Sequence, residues 1–242
     1  MKVPFVGREG ALAELAEALR AARAGRPQVV LVEGPAGIGK TALLRHFLAG
    51  ADTSRVLYAS GEEGESELAF GVLTQLLPDR EETWADALAA GAELLEALDD
   101  DVVLVVDDAQ WADAPSLQAL TFALRRLRVD RVLAVVVVRD VADPRIPEGL
   151  RRLCTASGSV RLPLDGLRVA ELRALGRDAG AGGLSARAAA RLHAHTAGNP
   201  LHAAALLQQA GPALLKALDE ESDVVLPAPK SFTSLVLGRL AA

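Results

Sequence analysis

Two runs, Val102–Val106 "VVLVV" and Val132–Val138 "VLAVVVV", constrain the fold of this chain more than any other feature. Both are strand-sized and apolar at consecutive positions, without the alternation of a strand wetted on one face. A strand buried on both sides needs a layer above and a layer below. That points to a parallel sheet whose crossover helices cover both faces. The rest of the chain supplies the helices and the other strands. Leu12, Leu15 and Leu19 mark a helix over 9–24, ended by Gly25, Arg26 and Pro27. A short apolar run, "QVVLVEG", precedes a helix at 40–48. A second strand at 55–60 and a polar loop, "GEEGES", lead to helices at 67–77 and 81–98. The two buried strands are expected over 101–107 and 131–139, and a short fifth over 159–162.

After Pro163 the strands stop. Helical periodicity covers 167–177, 185–196, 201–209 and 212–218, with breaks at "GAGG" (180–183) and "GNP" (198–200). The expected organisation is an α/β nucleotide-binding domain over 1–162, a helical lid domain over 163–218, and a linker with one opening helix over 219–242. An apolar helix expected at 231–240 with no domain following it suggests a cut from a longer polypeptide.

Composition narrows the function. A net charge of −6 argues against gripping DNA or RNA through phosphates, which takes clustered cations. The one basic cluster, Arg125, Arg126, Arg128 and Arg131, suits the end of a helix. No apolar run approaches the roughly 20 residues of a membrane span, and the N-terminus carries no apolar signal region. The single cysteine, Cys154, reads as a buried thiol, and a reducing cytoplasm fits.

Residues 34–41, "GPAGIGKT", match G-x-x-x-x-G-K-[ST] between a buried strand and a helix start, where that pattern works. Gly34, Ala36, Gly37, Ile38 and Gly39 would wrap backbone N–H groups around phosphate, with Ala42 in the following turn. Lys40 would reach the terminal phosphates and Thr41 would ligate Mg2+. Asp107 ends an apolar strand at the carboxyl edge of the sheet and would be the second metal ligand. Asp108 would accept a proton from the attacking water, or else cap the next helix; Asp113, in "DAPS", is the better cap. Arg139 ends the other buried strand and either senses the terminal phosphate or pairs with Asp140 or Asp143.

In this order "FVGRE" (5–9), "GPAGIGKT", "VVLVVDDAQWAD", the arginine after the fourth strand and "GNP" resemble the STAND class of P-loop ATPases, relatives of AAA+ proteins. "VVDDAQWAD" and "ESELAFGVLTQLLP" look most like the ATPase domain of large LuxR-type, maltose-regulator-like bacterial transcriptional regulators. The resemblance implies a sheet order of 5-1-4-3-2 and a site for ATP or ADP with Mg2+. It places Val6, Gly7 and Arg8 beside adenine and ribose, and closes Pro200 over the nucleotide. It also implies further domains in the same polypeptide (a winged helix, helical repeats and a DNA-binding helix-turn-helix), with room for nucleotide-dependent self-association.

The expected activity is weak ATP hydrolysis driving a regulatory switch. Two other readings stay open: a non-hydrolysing, ADP-bound interaction module, and a small-molecule P-loop kinase. A purine nucleotide should co-purify with the protein or bind on addition; failure to bind any would remove the central expectation.

Overall fold

The computed structural model describes residues 5–52, 55–79, 84–99, 101–178 and 184–219, with side chains undescribed over 209–218. The expected "GAGG" break, the linker after Asp219 and the helix at 231–240 lie outside the described residues. The elements are α1 (Glu9–Arg23), β1 (Gln28–Glu33), α2 (Lys40–Gly50), β2 (Arg55–Ser60), α3 (Gly71–Leu76), α4 (Ala87–Ala97), β3 (Val102–Asp107) and α5 (Ala114–Leu124). They continue with β4 (Val132–Val138), α6 (Glu148–Thr155), β5 (Val160–Pro163), α7 (Val169–Asp178), α8 (Ala186–Thr196) and α9 (Pro200–Asp219). No helix among the described residues is long and apolar enough to cross a membrane.

The chain divides into two compact units. One comprises residues 10–34 and 47–163; the other comprises residues 1–9, 35–46 and 164–242. The phosphate-loop segment from Pro35 to His46 therefore groups with the C-terminal helices.

The first unit holds a parallel five-stranded sheet in the order β2-β3-β4-β1-β5, the expected 5-1-4-3-2 written from the other edge. Every residue of β3 and β4 is buried, as their unbroken apolar runs require. The edge strand β2 instead alternates, with Arg55, Val56 and Tyr58 exposed and Leu57 and Ala59 buried. The aliphatic core packs Leu104, Val106 and Val136 against Leu94 of α4 and Leu117 and Leu120 of α5. Each fully buried aliphatic side chain of this kind stabilises by about 1.5–3 kcal/mol relative to exposure.

Asp113 is the cap that its sequence context suggests, accepting from the Ser116 N–H at 2.8 Å at the start of α5. It also accepts from the N–H groups of Phe70 at 2.8 Å and Val72 at 3.2 Å, and Ser116 Oγ accepts from Leu73 N–H at 3.0 Å. The residue before α3, Phe70, has no side-chain cap of its own. The start of α5 therefore caps α3 as well as itself, satisfying amides that would otherwise be buried without partners.

Helix α6 has no counterpart among the sequence expectations. It is short and amphipathic, burying Leu150 and Cys154 and pairing Arg152 with Glu148 along its outer face. Burial pushes the Cys154 thiol up to about 12, in keeping with a structural rather than a nucleophilic cysteine. Three helices differ from expectation. The 67–77 helix contracts to α3, preceded by a 3-10 turn at Glu63–Glu65. The 81–98 helix begins at Ala87, where Asp86 caps it through the N–H groups of Leu88 and Ala89. The helices expected at 201–209 and 212–218 form the single helix α9. The break expected at 210–211 does not occur, because the strong helix formers on both sides carry the helix through Gly211 and Pro212.

Asp113→Ala should cost about 3 kcal/mol, because it strands buried N–H donors, whereas Asp86→Ala, at an exposed cap, should cost about 1 kcal/mol. Urea denaturation of the two variants would check the contrast.

Candidate functional site

In the helical unit the phosphate loop is held in shape from within and from the C-terminal helices. Lys40 is buried, and its Nζ donates to the Pro35 carbonyl at 3.2 Å, so the ammonium lies folded across the loop at the N-terminus of α2. Gly37 takes a φ of +76°, and a Cβ there would meet Asn199 Oδ1 and Leu201 Cβ at 3.0 Å. That position accepts only glycine without strain.

The "GNP" segment supplies these neighbours. Asn199 Nδ2 donates to the Ala36 carbonyl at 2.9 Å, while its Oδ1 accepts from the N–H groups of Leu201 at 3.1 Å and His202 at 3.2 Å. One side chain thus caps α9 and fastens the phosphate loop. Pro200, at the first position of α9, lies 3.9 Å from the point where a Gly39 Cβ would stand. Leu201 N–H also points to the Gly37 carbonyl at 3.4 Å.

The N-terminal motif joins the same unit. Val6 packs on the helical core of Leu172, Leu192 and Leu206. Arg8 Nη2 donates to the carbonyls of Ile38, at 2.9 Å, and Asp165, at 2.8 Å, so the guanidinium links the phosphate loop to the segment before α7. Burial holds Arg8 below the ordinary arginine range, opposed by the charges of Glu171 and Asp165. Gly7, at φ +69°, faces Glu171, and any Cβ there would overlap the Glu171 carboxyl carbon. Burial tends to raise the Glu171 carboxyl, but hydrogen bonds from Arg168 side chain and backbone prevail and hold it below its usual range.

The sheet unit carries the acidic residues. Asp107 is buried at the end of β3; its Oδ1 accepts from the Asp108 N–H at 2.9 Å and its Oδ2 from the Tyr58 hydroxyl at 3.1 Å. Asp108 turns into left-handed backbone, φ +47° and ψ +44°, a conformation seldom taken by residues other than glycine. Its Oδ1 accepts from Gln110 Nε2 at 2.8 Å, and Gln110 Oε1 accepts from the Arg139 N–H at 3.1 Å. Among the described residues Arg139 forms no salt bridge with Asp140 or Asp143; Asp143 pairs with Arg145, which stacks over Trp111 with its guanidinium carbon 3.9 Å from the ring centroid. Glu33, at the end of β1, accepts from the Val141 N–H at 2.9 Å and pairs with Arg161 of β5 at 3.0 Å, tying three strand ends together.

The sequence candidates thus fall into two groups. Val6, Gly7, Arg8, Ala36, Gly37, Ile38, Gly39, Lys40, Thr41, Ala42 and Pro200 belong to the helical unit. Gly34, Asp107, Asp108 and Arg139 belong to the sheet unit. In the helical unit the loop offers backbone N–H groups, a buried lysine and the Thr41 hydroxyl, donors that suit a nucleotide phosphate; in the sheet unit the Asp107 carboxylate is an oxygen donor of the kind Mg2+ takes. Among the described residues no cluster of three or more His, Cys, Asp or Glu side chains could hold a metal by itself.

Nothing in their own sequence context marks Asn199 or Gln110 as functional, beyond their places in "GNP" and "DDAQW" beside candidate residues.

Residues 4–138 match the family described as the AAA ATPase domain. The chain is similar in structure to the Holliday junction branch migration motor RuvB of Thermotoga maritima, at 21% identity and a TM-score of 0.56, covering 98% of this chain and 70% of that one. It is similar to Cdc6p of Pyrobaculum aerophilum at 17% identity and a TM-score of 0.63, covering 89% and 63% respectively. For domain III of the Thermotoga maritima replication initiation protein DnaA the identity is 15%, the TM-score 0.56, and the coverage 92% and 90%. At these identities the likeness speaks for the fold alone. No curated protein sequence matches the chain.

Asn199→Asp keeps the acceptor that caps α9 but loses the donor to Ala36, whereas Asn199→Ala loses both. Nucleotide affinity should fall about five- to tenfold in each, as for one lost hydrogen bond. Thermal stability should fall more in Asn199→Ala. Calorimetric titration with ADP and thermal melting would measure the two effects.

Proposed function

Because the chain belongs to the AAA ATPase domain family, we propose that it binds ATP with Mg2+ through residues 34–42 and hydrolyses it slowly, acting as a nucleotide-dependent switch. The observation that carries this reading is the hydrogen bond from Asn199 to Ala36, which makes the phosphate loop and the start of α9 parts of one unit. A loop reshaped by the terminal phosphate would pull directly on a helix of the C-terminal segment.

Lys40 would bind the terminal phosphates, and Thr41 and Asp107 would hold the metal. Mg2+, when bound, would supply neutralising charge. Val6, Gly7 and Arg8 flank base and ribose, and Pro200 packs beside the loop. In the hydrolytic step a water oxygen bonds to the γ-phosphorus as the bond to the bridging oxygen breaks. Asp108 takes the water proton, Arg139 steadies charge on the departing phosphoryl group, and ADP leaves with the electron pair. Switching then requires the two nucleotides to favour different arrangements of the protein. The order of the motifs further supports the ATPase domain of a STAND-class, LuxR-type transcriptional regulator, in which DNA contact falls to other parts of the polypeptide.

One observation favours a second reading, an ADP-holding module without turnover. Asp108 is shorter than glutamate by one methylene, about 1.5 Å, and one of its oxygens is already held by Gln110.

Lys40→Ala should abolish nucleotide binding in calorimetric titration. Asp108→Asn should bind normally yet release phosphate at least about tenfold more slowly, as expected when a general base is lost. Undetectable phosphate release by the parent protein would select the second reading. Identical small-angle scattering with ADP and with a non-hydrolysable ATP analogue would refute the switch.

A further inference from the structure

Gln110 lies almost wholly buried, 1% exposed, in a 3-10 turn directly after the two aspartates. A buried primary amide must satisfy both its donor and its acceptor, and here each has a partner of fixed polarity. The Asp108 carboxylate can only accept, and it faces Nε2 at 2.8 Å; the Arg139 backbone N–H can only donate, and it faces Oε1 at 3.1 Å. The amide orientation follows from its partners.

The bridge spans the ends of two strands adjacent in the sheet, β3 and β4. It does so where the backbone is strained, since Asp108 occupies left-handed φ,ψ space without being glycine. That conformation persists only if surrounding contacts over-determine it. Here the Asp108 N–H is held by Asp107 Oδ1, its carbonyl by the Trp111 N–H at 2.8 Å, and its side chain by Gln110. Gln110 alone among these ties the carboxylate to the neighbouring strand.

We propose that Gln110 is a positioning residue for hydrolysis: its amide fixes the Asp108 carboxylate relative to the main chain of Arg139, so that proton acceptor and phosphate-sensing arginine are set by one side chain. This rests on the assignment of Asp108 as the proton acceptor. Gln110 needs no contact with nucleotide, so its loss acts on kcat and leaves affinity alone. The nearest natural replacements cannot substitute. Asparagine is too short to reach both partners, and glutamate can still accept from Arg139 but can donate to Asp108 only when protonated.

The test compares Gln110→Glu, Gln110→Met and Asp108→Asn across pH 5 to 8, measuring phosphate release, KM for ATP, ADP binding and melting temperature. Gln110→Glu should lose at least about tenfold in kcat at pH 8 with KM and ADP affinity unchanged. It should regain activity relative to the parent protein as the pH falls and the new carboxyl gains a proton. Gln110→Met, of similar volume, should be slow at every pH with the same KM. Parent-like kcat in both Gln110 variants, with Asp108→Asn slow, would overturn the positioning role and leave the Asp108 assignment standing. Parent-like kcat in Asp108→Asn would overturn both. Loss of ADP binding together with kcat in both Gln110 variants would assign the residue to folding alone and equally overturn the proposal.

Discussion

A strand buried on both faces can carry polar groups only at its ends, and the chemistry of the sheet unit follows from that constraint. Strands β3 and β4 are buried along their whole length. In a parallel sheet their carboxyl ends lie at one edge, and charge gathers there. Glu33 ends β1, Asp107 ends β3 and Arg139 follows β4. None is left to solvent alone: Glu33 binds Val141 and Arg161, Asp107 binds Tyr58 and the next N–H, and Arg139 offers its N–H to Gln110. Such an edge is stiff because each buried polar atom must be matched, and a stiff edge is what electrostatic preorganisation needs.

The helical unit solves a different problem, that of giving shape to a loop with little side-chain substance. A glycine-rich segment loses much conformational entropy when ordered. Besides the bond from Lys40 to Pro35 within the loop, ordering contacts come from outside it, from Asn199 at Ala36, Leu201 at Gly37 and Arg8 at Ile38. The first two of these outside residues stand at the start of one helix, α9, whose N-terminal amides Asn199 caps in the same stroke. The loop and the start of that helix thus satisfy their polar groups through one shared side chain.

Elements with strong local signals were legible in advance. The apolar runs announced β3 and β4, "GPAGIGKT" announced the strand, loop and helix around it, and Asp113 declared itself as a cap three residues ahead of its amide partner. Periodicity counts strands without arranging them, so the order β2-β3-β4-β1-β5 is implied by the family resemblance and not by the apolar pattern. Helix α6 escaped because its eight residues carry only two buried positions, too few to raise a period above the surrounding turns. Helix α9 ran on through Gly211 and Pro212 because local breakers compete with neighbours of high helix propensity and do not always win.

What the sequence determined by itself was therefore whatever depends on near neighbours: burial on both faces, helix starts, and a phosphate loop recognised by its own spacing. Only the tertiary structure decided which distant polar groups satisfy one another. Asn199 reaches Ala36 across 163 positions, and Asp113 reaches Phe70 across 43. Gln110 joins two strand ends that are consecutive in the sheet but separated by a whole helix in the chain. A buried amide or carboxylate must find a partner, but its own sequence context does not say which, because the candidates are brought within reach only when the apolar core has closed.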